Sequence, residues 1–129
     1  MPQQTDLVIN NAAAVAKTFV AMSPGAYGIP AEWALKEGVV STVFPRITAL
    51  ASNTANQSKK VSVRLKIPSS YVDAATGLTK PSTAFEFNGT ASVPDAFPEA
   101  LRADAVAYVK NLVAHTLVQA MFKDGLPAT

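Results

Sequence analysis

The chain has 129 residues, enough for one domain of ordinary size and too few for a second core, so a single domain over residues 1–129 is predicted. Only 16% of the residues are charged, against roughly 25% in average soluble domains, which indicates that much of the surface meets other protein. The formal net charge of +2 excludes a tail that simply coats nucleic acid, and the absence of cysteine excludes disulfides and thiolate sites.

Short β-segments separated by turn residues occupy the first part of the chain. Residues 7–9 and 15–22 are predicted to form an N-terminal hairpin, because turn-forming residues follow each of them. A short strand is predicted at residues 32–35. The apolar segment 39–51 comes next, and Pro45 within it marks a sheet edge, a bulge or the entry to a strand.

Strict alternation of apolar and polar residues predicts two longer strands, over residues 61–67 and 85–93. This pattern is typical of a strand with one buried and one open face. In the segment that ends at Ser52, polar residues also recur at every second position, with Leu50 as the exception. The open sides carry Arg46, Thr48 and Ser52; Lys60, Ser62, Arg64 and Lys66; and Glu86, Asn88, Thr90 and Ser92. Three strands are therefore predicted to share a covered apolar face and an open polar face.

Residues 69–83 are predicted to form a mobile surface loop. They are rich in Ser, Thr and Ala, contain Gly77 and Pro81, and lack a periodic apolar pattern. Such a segment is too polar for a buried element.

A helix is predicted over residues 98–124, with Pro98 among its start signals and Gly125 among its stop signals. It would be roughly 40 Å long at 1.5 Å per residue, whereas a globule of this size has a radius of gyration of about 14 Å. The helix must therefore break or reach beyond its own subunit. Its apolar surface is wider than one face and comprises Leu101, Val106, Tyr108, Val109, Leu112, Val113, Leu117, Val118, Ala120 and Met121. One small sheet cannot cover this surface, so an obligate dimer is predicted.

No set of residues in the sequence matches a catalytic or metal site. The single histidine, His115, has no nucleophile or ligand set near it and is interpreted as a surface or interface residue. The nine acidic residues show neither metal-loop spacing nor a helical pair. We therefore predict no enzymatic activity, no metal and no cofactor. Without a secretion signal or an apolar span, no membrane association is predicted either.

Two features have the chemistry for nucleic-acid contact. Trp33 can stack on a base, but a single Trp beside Ala34 and Leu35 is more typical of a packed core. The other feature is the basic set Lys59, Lys60, Arg64 and Lys66. Because these cations are predicted to share one strand face with polar neighbours, nucleic-acid contact and simple solvation both fit them.

Several segments in order along nearly the whole chain resemble one known family. Residues 28–33, Gly-Ile-Pro-Ala-Glu-Trp, resemble its Gly-X-Ala-Glu-Trp stretch, and residues 46–68 fit two of its adjacent antiparallel strands without a gap. Pro81 matches a proline in a loop of the family, and residues 123–127 resemble the segment after its last helix in one branch. The sequence is thus similar to the coat proteins of single-stranded RNA bacteriophages, the levivirus coat protein family.

The resemblance implies an α+β fold with an N-terminal β-hairpin, a five-stranded antiparallel sheet and C-terminal helices. It implies an intertwined homodimer with a continuous ten-stranded sheet, in which each subunit's helices lie across the partner. Dimers would build an icosahedral shell, with the loop at residues 69–83 at its symmetry axes. The implied partners are single-stranded genomic RNA and a maturation protein, and the implied location is the virion capsid, assembled in the bacterial host cytoplasm.

By position, the resemblance also implies an RNA-binding face on the inside of the shell. Its residues would be Arg46, Thr48, Lys60, Ser62, Arg64, Lys66 and Asn88. In the family this face also binds an operator hairpin and represses replicase translation. Leu50, Ser52 and Glu86 depart from the family pattern, Glu86 standing where some relatives have a base-stacking tyrosine. General RNA contact is still implied, whereas recognition of a relative's operator is not.

Two rival functions fit parts of the pattern. A dimeric β-sheet nucleic-acid-binding regulator that forms no shell would use the same basic strand face. A small α+β enzyme or ligand carrier would need a clustered set of His, Cys or acidic residues. Assembly into particles would separate the coat protein from both rivals.

Overall fold

The computed structural model describes residues 3–38, 40–54 and 57–128. Val39, at the start of the predicted apolar segment, lies outside these residues, as do residues 55 and 56 in the predicted turn after it. The chain divides into two compact units, Met1–Pro94 and Asp95–Thr129. The first unit is built from strands and the second from helices.

The first unit is one antiparallel sheet whose six strands lie in sequence order. They are β1 (Leu7–Asn10), β2 (Ala16–Ser23), β3 (Ala31–Ala34), β4 (Arg46–Thr54), β5 (Ser58–Val72) and β6 (Thr79–Pro94). β2 pairs with β1 through its first half and with β3 through its second half, so it belongs both to the hairpin and to the five-stranded part. The predicted hairpin and antiparallel sheet are therefore confirmed. Pro45 directly precedes β4 and marks a strand entry.

The turn of the N-terminal hairpin is held by the side chain of Asn11. Its Oδ1 accepts hydrogen bonds from the backbone N–H groups of Ala13 and Val15, each at 3.0 Å. Ala14 has a φ of 59°, in the left-handed region where a residue with a Cβ is disfavoured. Local hydrogen bonds to the Asn11 side chain thus hold a conformation that the alanine sequence alone does not favour.

The predicted loop at residues 69–83 is wrong in its extent, because β5 and β6 continue into it and leave only residues 73–78 as a turn. The polar residues that suggested a loop bond to each other across the two strands. The Ser69 hydroxyl donates to the Thr83 carbonyl oxygen at 2.9 Å and accepts from the Thr83 N–H at 3.1 Å. Pro81 lies in β6, the last strand of the sheet, and edge strands are where prolines are tolerated within sheets.

The second unit contains two helices, α1 (Glu99–Ala114) and α2 (Thr116–Asp124). The predicted single helix therefore breaks, which was one of the two predicted outcomes. The break lies at His115, whose ψ of 136° is extended and whose Nδ1 accepts from the Leu117 N–H at 3.2 Å, as an N-cap side chain does. Gly125, with a φ of 66°, ends α2. Neither described helix is both long and apolar enough to cross a membrane.

The buried core of the described residues is small. It consists of Phe19, Ala31, Ala34, Val43 and Ile47. On the apolar side of the long strands, Val61 and Phe85 remain 39% and 49% exposed, and no described residue of α1 or α2 is buried. Much more apolar surface is exposed than isolated soluble proteins usually leave open.

Candidate nucleic-acid interface

The register of β4, β5 and β6 brings the predicted RNA-binding residues together on one side of the sheet. Directly opposite residues of paired strands project to the same face. Arg46 lies opposite Lys66, and Thr48 lies opposite Arg64. Across the next ladder, Arg64 lies opposite Asn88. We define the polar face as Arg46, Thr48, Leu50, Ser52, Lys60, Ser62, Arg64, Lys66, Glu86, Asn88, Thr90 and Ser92.

The polar face is organised as four rows that run across the three strands. The rows are Arg46, Lys66 and Glu86; Thr48, Arg64 and Asn88; Leu50, Ser62 and Thr90; and Ser52, Lys60 and Ser92. Neighbouring rows are two residues apart along each strand, or roughly 6.8 Å. Cationic side chains therefore recur in three of the four rows, with neutral hydrogen-bonding groups between them.

The cations of the polar face differ in what surrounds them. Arg64 Nη2 lies 2.8 Å from Glu86 Oε1, and Lys66 Nζ lies 3.9 Å from the same oxygen. Arg46 donates from Nη2 to the Ser41 carbonyl oxygen at 3.2 Å. The side chain of Lys60 makes no hydrogen bond or ion pair with any residue that the structure describes. The side chains of Arg64, Lys66 and Glu86 are 39–52% exposed, so water and salt screen their attraction.

Neutral groups on the polar face can form hydrogen bonds with bases or sugars. The hydroxyls of Ser62 and Thr90 lie 3.3 Å apart across β5 and β6. The exposed amide of Asn88 is both donor and acceptor. A surface of this kind can bind phosphates through its cations and discriminate bases through its amide and hydroxyl groups.

One member of the predicted basic set lies elsewhere. Lys59 is opposite Asn53 on β4 and Val93 on β6, one residue out of phase with the polar face. Because side chains alternate along a strand, Lys59 projects to the other side of the sheet. The prediction that Lys59 shares a face with Lys60, Arg64 and Lys66 is wrong.

Trp33 also lies outside the polar face. It is opposite Ile47 on β4, in phase with the apolar side, and its Nε1 donates to the Thr5 carbonyl oxygen at 2.7 Å. The side chain is only partly exposed. This placement favours the packed interpretation of Trp33 over a stacking platform for a base.

Sequence reasoning missed Glu32, which the register adds to the polar side of the sheet. Glu32 lies opposite Thr48, so its carboxylate extends the row that contains Arg64. The available signal was its alternation with Trp33, but a strand of four residues is too short for alternation to be convincing. The carboxylates of Glu32 and Glu86 therefore both accompany the cations on this side. Among the described residues, no group of three His, Asp or Glu side chains is placed to hold a metal ion.

Comparison with known proteins shows one consistent relationship. The family model for the levivirus coat protein matches residues 2–126. The chain is similar to the virus-like particle protein of bacteriophage NT-214, with 25% identity, a TM-score of 0.85, and coverage of 99% of this chain and 100% of that chain. The virus-like particle protein of Beihai levi-like virus 21 has the same fold, with 15% identity, a TM-score of 0.87 and 99% coverage of each chain. The capsid protein of bacteriophage GA also shares the fold, with 18% identity, a TM-score of 0.70, and coverage of 93% of this chain and 94% of that chain. No curated protein sequence matches the chain.

Proposed function

Because the chain belongs to the levivirus coat protein family and is therefore a capsid protein, we propose that it dimerises, builds an icosahedral shell and holds single-stranded genomic RNA on its polar face. A capsid protein is structural and has no catalytic role. The observation that carries the RNA proposal is the register that places Arg46 beside Lys66 and Arg64 beside Asn88. The polar face would look into the particle, in virions assembled in the host cytoplasm.

Dimerisation is supported by exposed apolar surface on both units. Val106 and Tyr108 of α1 are 69% and 74% exposed, and Val63 and Ile67 of β5 are 40% and 42% exposed. A second chain would remove these side chains from water, at a gain of about 25 cal/mol for each Å² of apolar surface. The dimer proposal accounts for apolar surface that would otherwise promote aggregation.

The outer edge of the sheet supports the same proposal. β6 is the last strand, and it is 16 residues long. A long unpaired edge exposes backbone N–H and C=O groups that another strand can pair with. Antiparallel pairing of two β6 strands across a two-fold axis would join two five-stranded parts, β2 to β6 of each chain, into the continuous ten-stranded sheet that the family resemblance implies.

Shell assembly is proposed from the family and from the particle-forming relatives. The similar chain from bacteriophage NT-214 comes from a virus-like particle. A maturation protein is a further proposed partner of the shell, on the resemblance alone. Repression of replicase translation through an RNA hairpin is the finer proposal, and Ser62, Asn88 and Thr90 carry the neutral groups that can recognise one.

A dimeric nucleic-acid-binding regulator without a shell would use the same polar face, so assembly is the property that separates the two functions. Electron microscopy of the protein expressed in bacteria without other phage genes tests this. Closed particles of uniform size support the coat protein proposal. Dimers that stay dispersed at high concentration and over a range of salt would favour the regulator.

A further inference from the structure

The carboxylate of Glu86 lies beside Arg64 and Lys66, two of the four cations of the polar face. We propose that Glu86 is a built-in competitor of RNA phosphate, which keeps the affinity of the polar face for RNA below what its cations could give. This inference rests on the proposed RNA-binding function. It adds a residue that sets affinity and that opposes binding.

The geometry places one carboxylate against two cations. Glu86 Oε1 lies 2.8 Å from Arg64 Nη2 and 3.9 Å from Lys66 Nζ. A guanidinium binds carboxylate and phosphate oxygens through the same N–H groups and in the same geometry. A phosphate that approaches Arg64 must therefore displace Glu86 or bind beside a negative charge.

The exposure of these groups makes the competition reversible. The side chains of Glu86, Arg64 and Lys66 are 39%, 52% and 50% exposed. Exposed ion pairs contribute little to stability and exchange readily with other ions. The carboxylate can thus be displaced by a polyanion without disturbing the sheet, whose described core lies at other residues.

Among the described residues, the two remaining cations of the polar face form no ion pair with Glu86, although Arg46 shares the row of Lys66. Arg46 donates to a backbone carbonyl, and Lys60 lies in the row of Ser52 and Ser92. RNA can contact these two without displacing Glu86. The competitor therefore acts on one end of the polar face, at the rows of Arg64 and Lys66.

The test uses Glu86→Gln, which keeps the size of the side chain and one acceptor oxygen and removes its charge. The matched control is Glu37→Gln, because Glu37 Oε1 forms an ion pair with Lys17 Nζ at 2.7 Å that involves no residue of the polar face. Both variants change the net charge equally. Glu86→Thr, which suits a strand, repeats the test if Glu86→Gln lowers the yield of folded protein.

Filter binding of an unstructured oligouridylate to full-length dimers, diluted below the concentration of assembly, is measured over a salt series. We expect Glu86→Gln to bind about three- to tenfold tighter at roughly 0.1 M salt. The salt slope should steepen by at most about 0.7 to 1.4 per subunit, because Glu86 holds Arg64 and Lys66 for only part of the time in the wild-type protein. Glu37→Gln should match the wild-type protein. In an Arg64→Ala background, the gain from Glu86→Gln should shrink.

The outcomes separate this inference from the function on which it rests. If the wild-type dimer binds RNA with a salt-dependent affinity and Glu86→Gln binds equally, the competitor role is wrong and RNA binding stands. If Glu86→Gln binds more weakly, the carboxylate is an RNA contact and the competitor role is again overturned. If neither protein binds RNA, both proposals fail.

Discussion

Arg64 on β5 lies directly opposite Asn88 on β6, so a permanent cation and a neutral amide stand side by side on the polar face. The two side chains offer different chemistry to RNA. A guanidinium attracts any phosphate, whereas an amide can distinguish base edges and sugars. Substituting each residue separately should therefore produce two different defects.

Arg64→Ala should weaken binding to all RNA sequences by a similar factor, because phosphate contacts carry no sequence information. A dimer would lose the two contacts that Arg64 makes in competition with Glu86, and the slope of log affinity against log salt should flatten by up to about one to two units. Lys59→Ala is the matched control, since Lys59 projects to the other side of the sheet. An unchanged slope for Arg64→Ala would mean that this part of the polar face is only solvated.

Asn88→Ala should weaken binding to a preferred hairpin more than binding to random RNA. The amide contributes donor and acceptor groups rather than charge, so the salt slope should stay close to that of the wild-type protein. Mobility shifts with a hairpin selected from the phage genome and with a scrambled RNA measure the difference. Equal losses for both RNAs would show that Asn88 does not take part in discrimination.

The dimer proposal predicts that stability depends on protein concentration. Because the exposed apolar surface of α1 and β5 needs a partner, dilution of an assembly-blocked variant should lower its apparent melting temperature. Differential scanning fluorimetry over a range of concentrations, with sedimentation in parallel, provides the measurement. A folded monomer whose melting temperature is independent of concentration would contradict the proposal.

The turn between β5 and β6 should loosen in acid. The pKa of Asp73 lies below its ordinary value of 3.8 because the Lys80 ammonium, 2.8 Å from Oδ2, and the Ala75 N–H stabilise the carboxylate. The stabilisation is therefore complete above pH 3.8 and is lost as the pH falls through the lowered pKa of the folded state. Amide NMR shifts of residues 73–78 should report this loss, and Asp73→Asn should abolish the dependence on pH in that range. If the turn of Asp73→Asn showed the same acid transition, another group would be responsible for it.

Local alternation was enough to predict the long strands and the phase of the polar face. Ser62, Arg64 and Lys66 recur at every second position. They lie on one face of the sheet because successive side chains of a strand project to opposite faces. Lys59 departs from the prediction because the alternation of side chains along β5, and not the clustering of charge, decides which face a side chain takes. The loop at residues 69–83 was predicted wrongly because Ser69 and Thr83 are polar residues that satisfy each other across two strands.

Contacts that depend on the register between distant segments were not accessible from the sequence. The ion pair of Arg64 with Glu86 joins residues 22 positions apart and requires the pairing of β5 with β6. The helix break was predicted only as one of two outcomes, since the cap at His115 depends on a hydrogen bond from Leu117 that no periodicity reveals. Glu32 was missed for a related reason, because only the register with Thr48 places it on the polar side.

The central claim is that this chain forms a shell whose polar face holds RNA, and the RNA content of particles made in bacteria tests it most directly. Wild-type particles should contain RNA, measured by the ratio of absorbance at 260 to 280 nm after nuclease treatment of the exterior. Particles of a variant with Arg46, Lys60, Arg64 and Lys66 all changed to Gln should retain their size and contain much less RNA, because counterion release supplies most of the binding. Equal RNA content in both kinds of particle, or failure of the wild-type chain to form particles, would contradict the account.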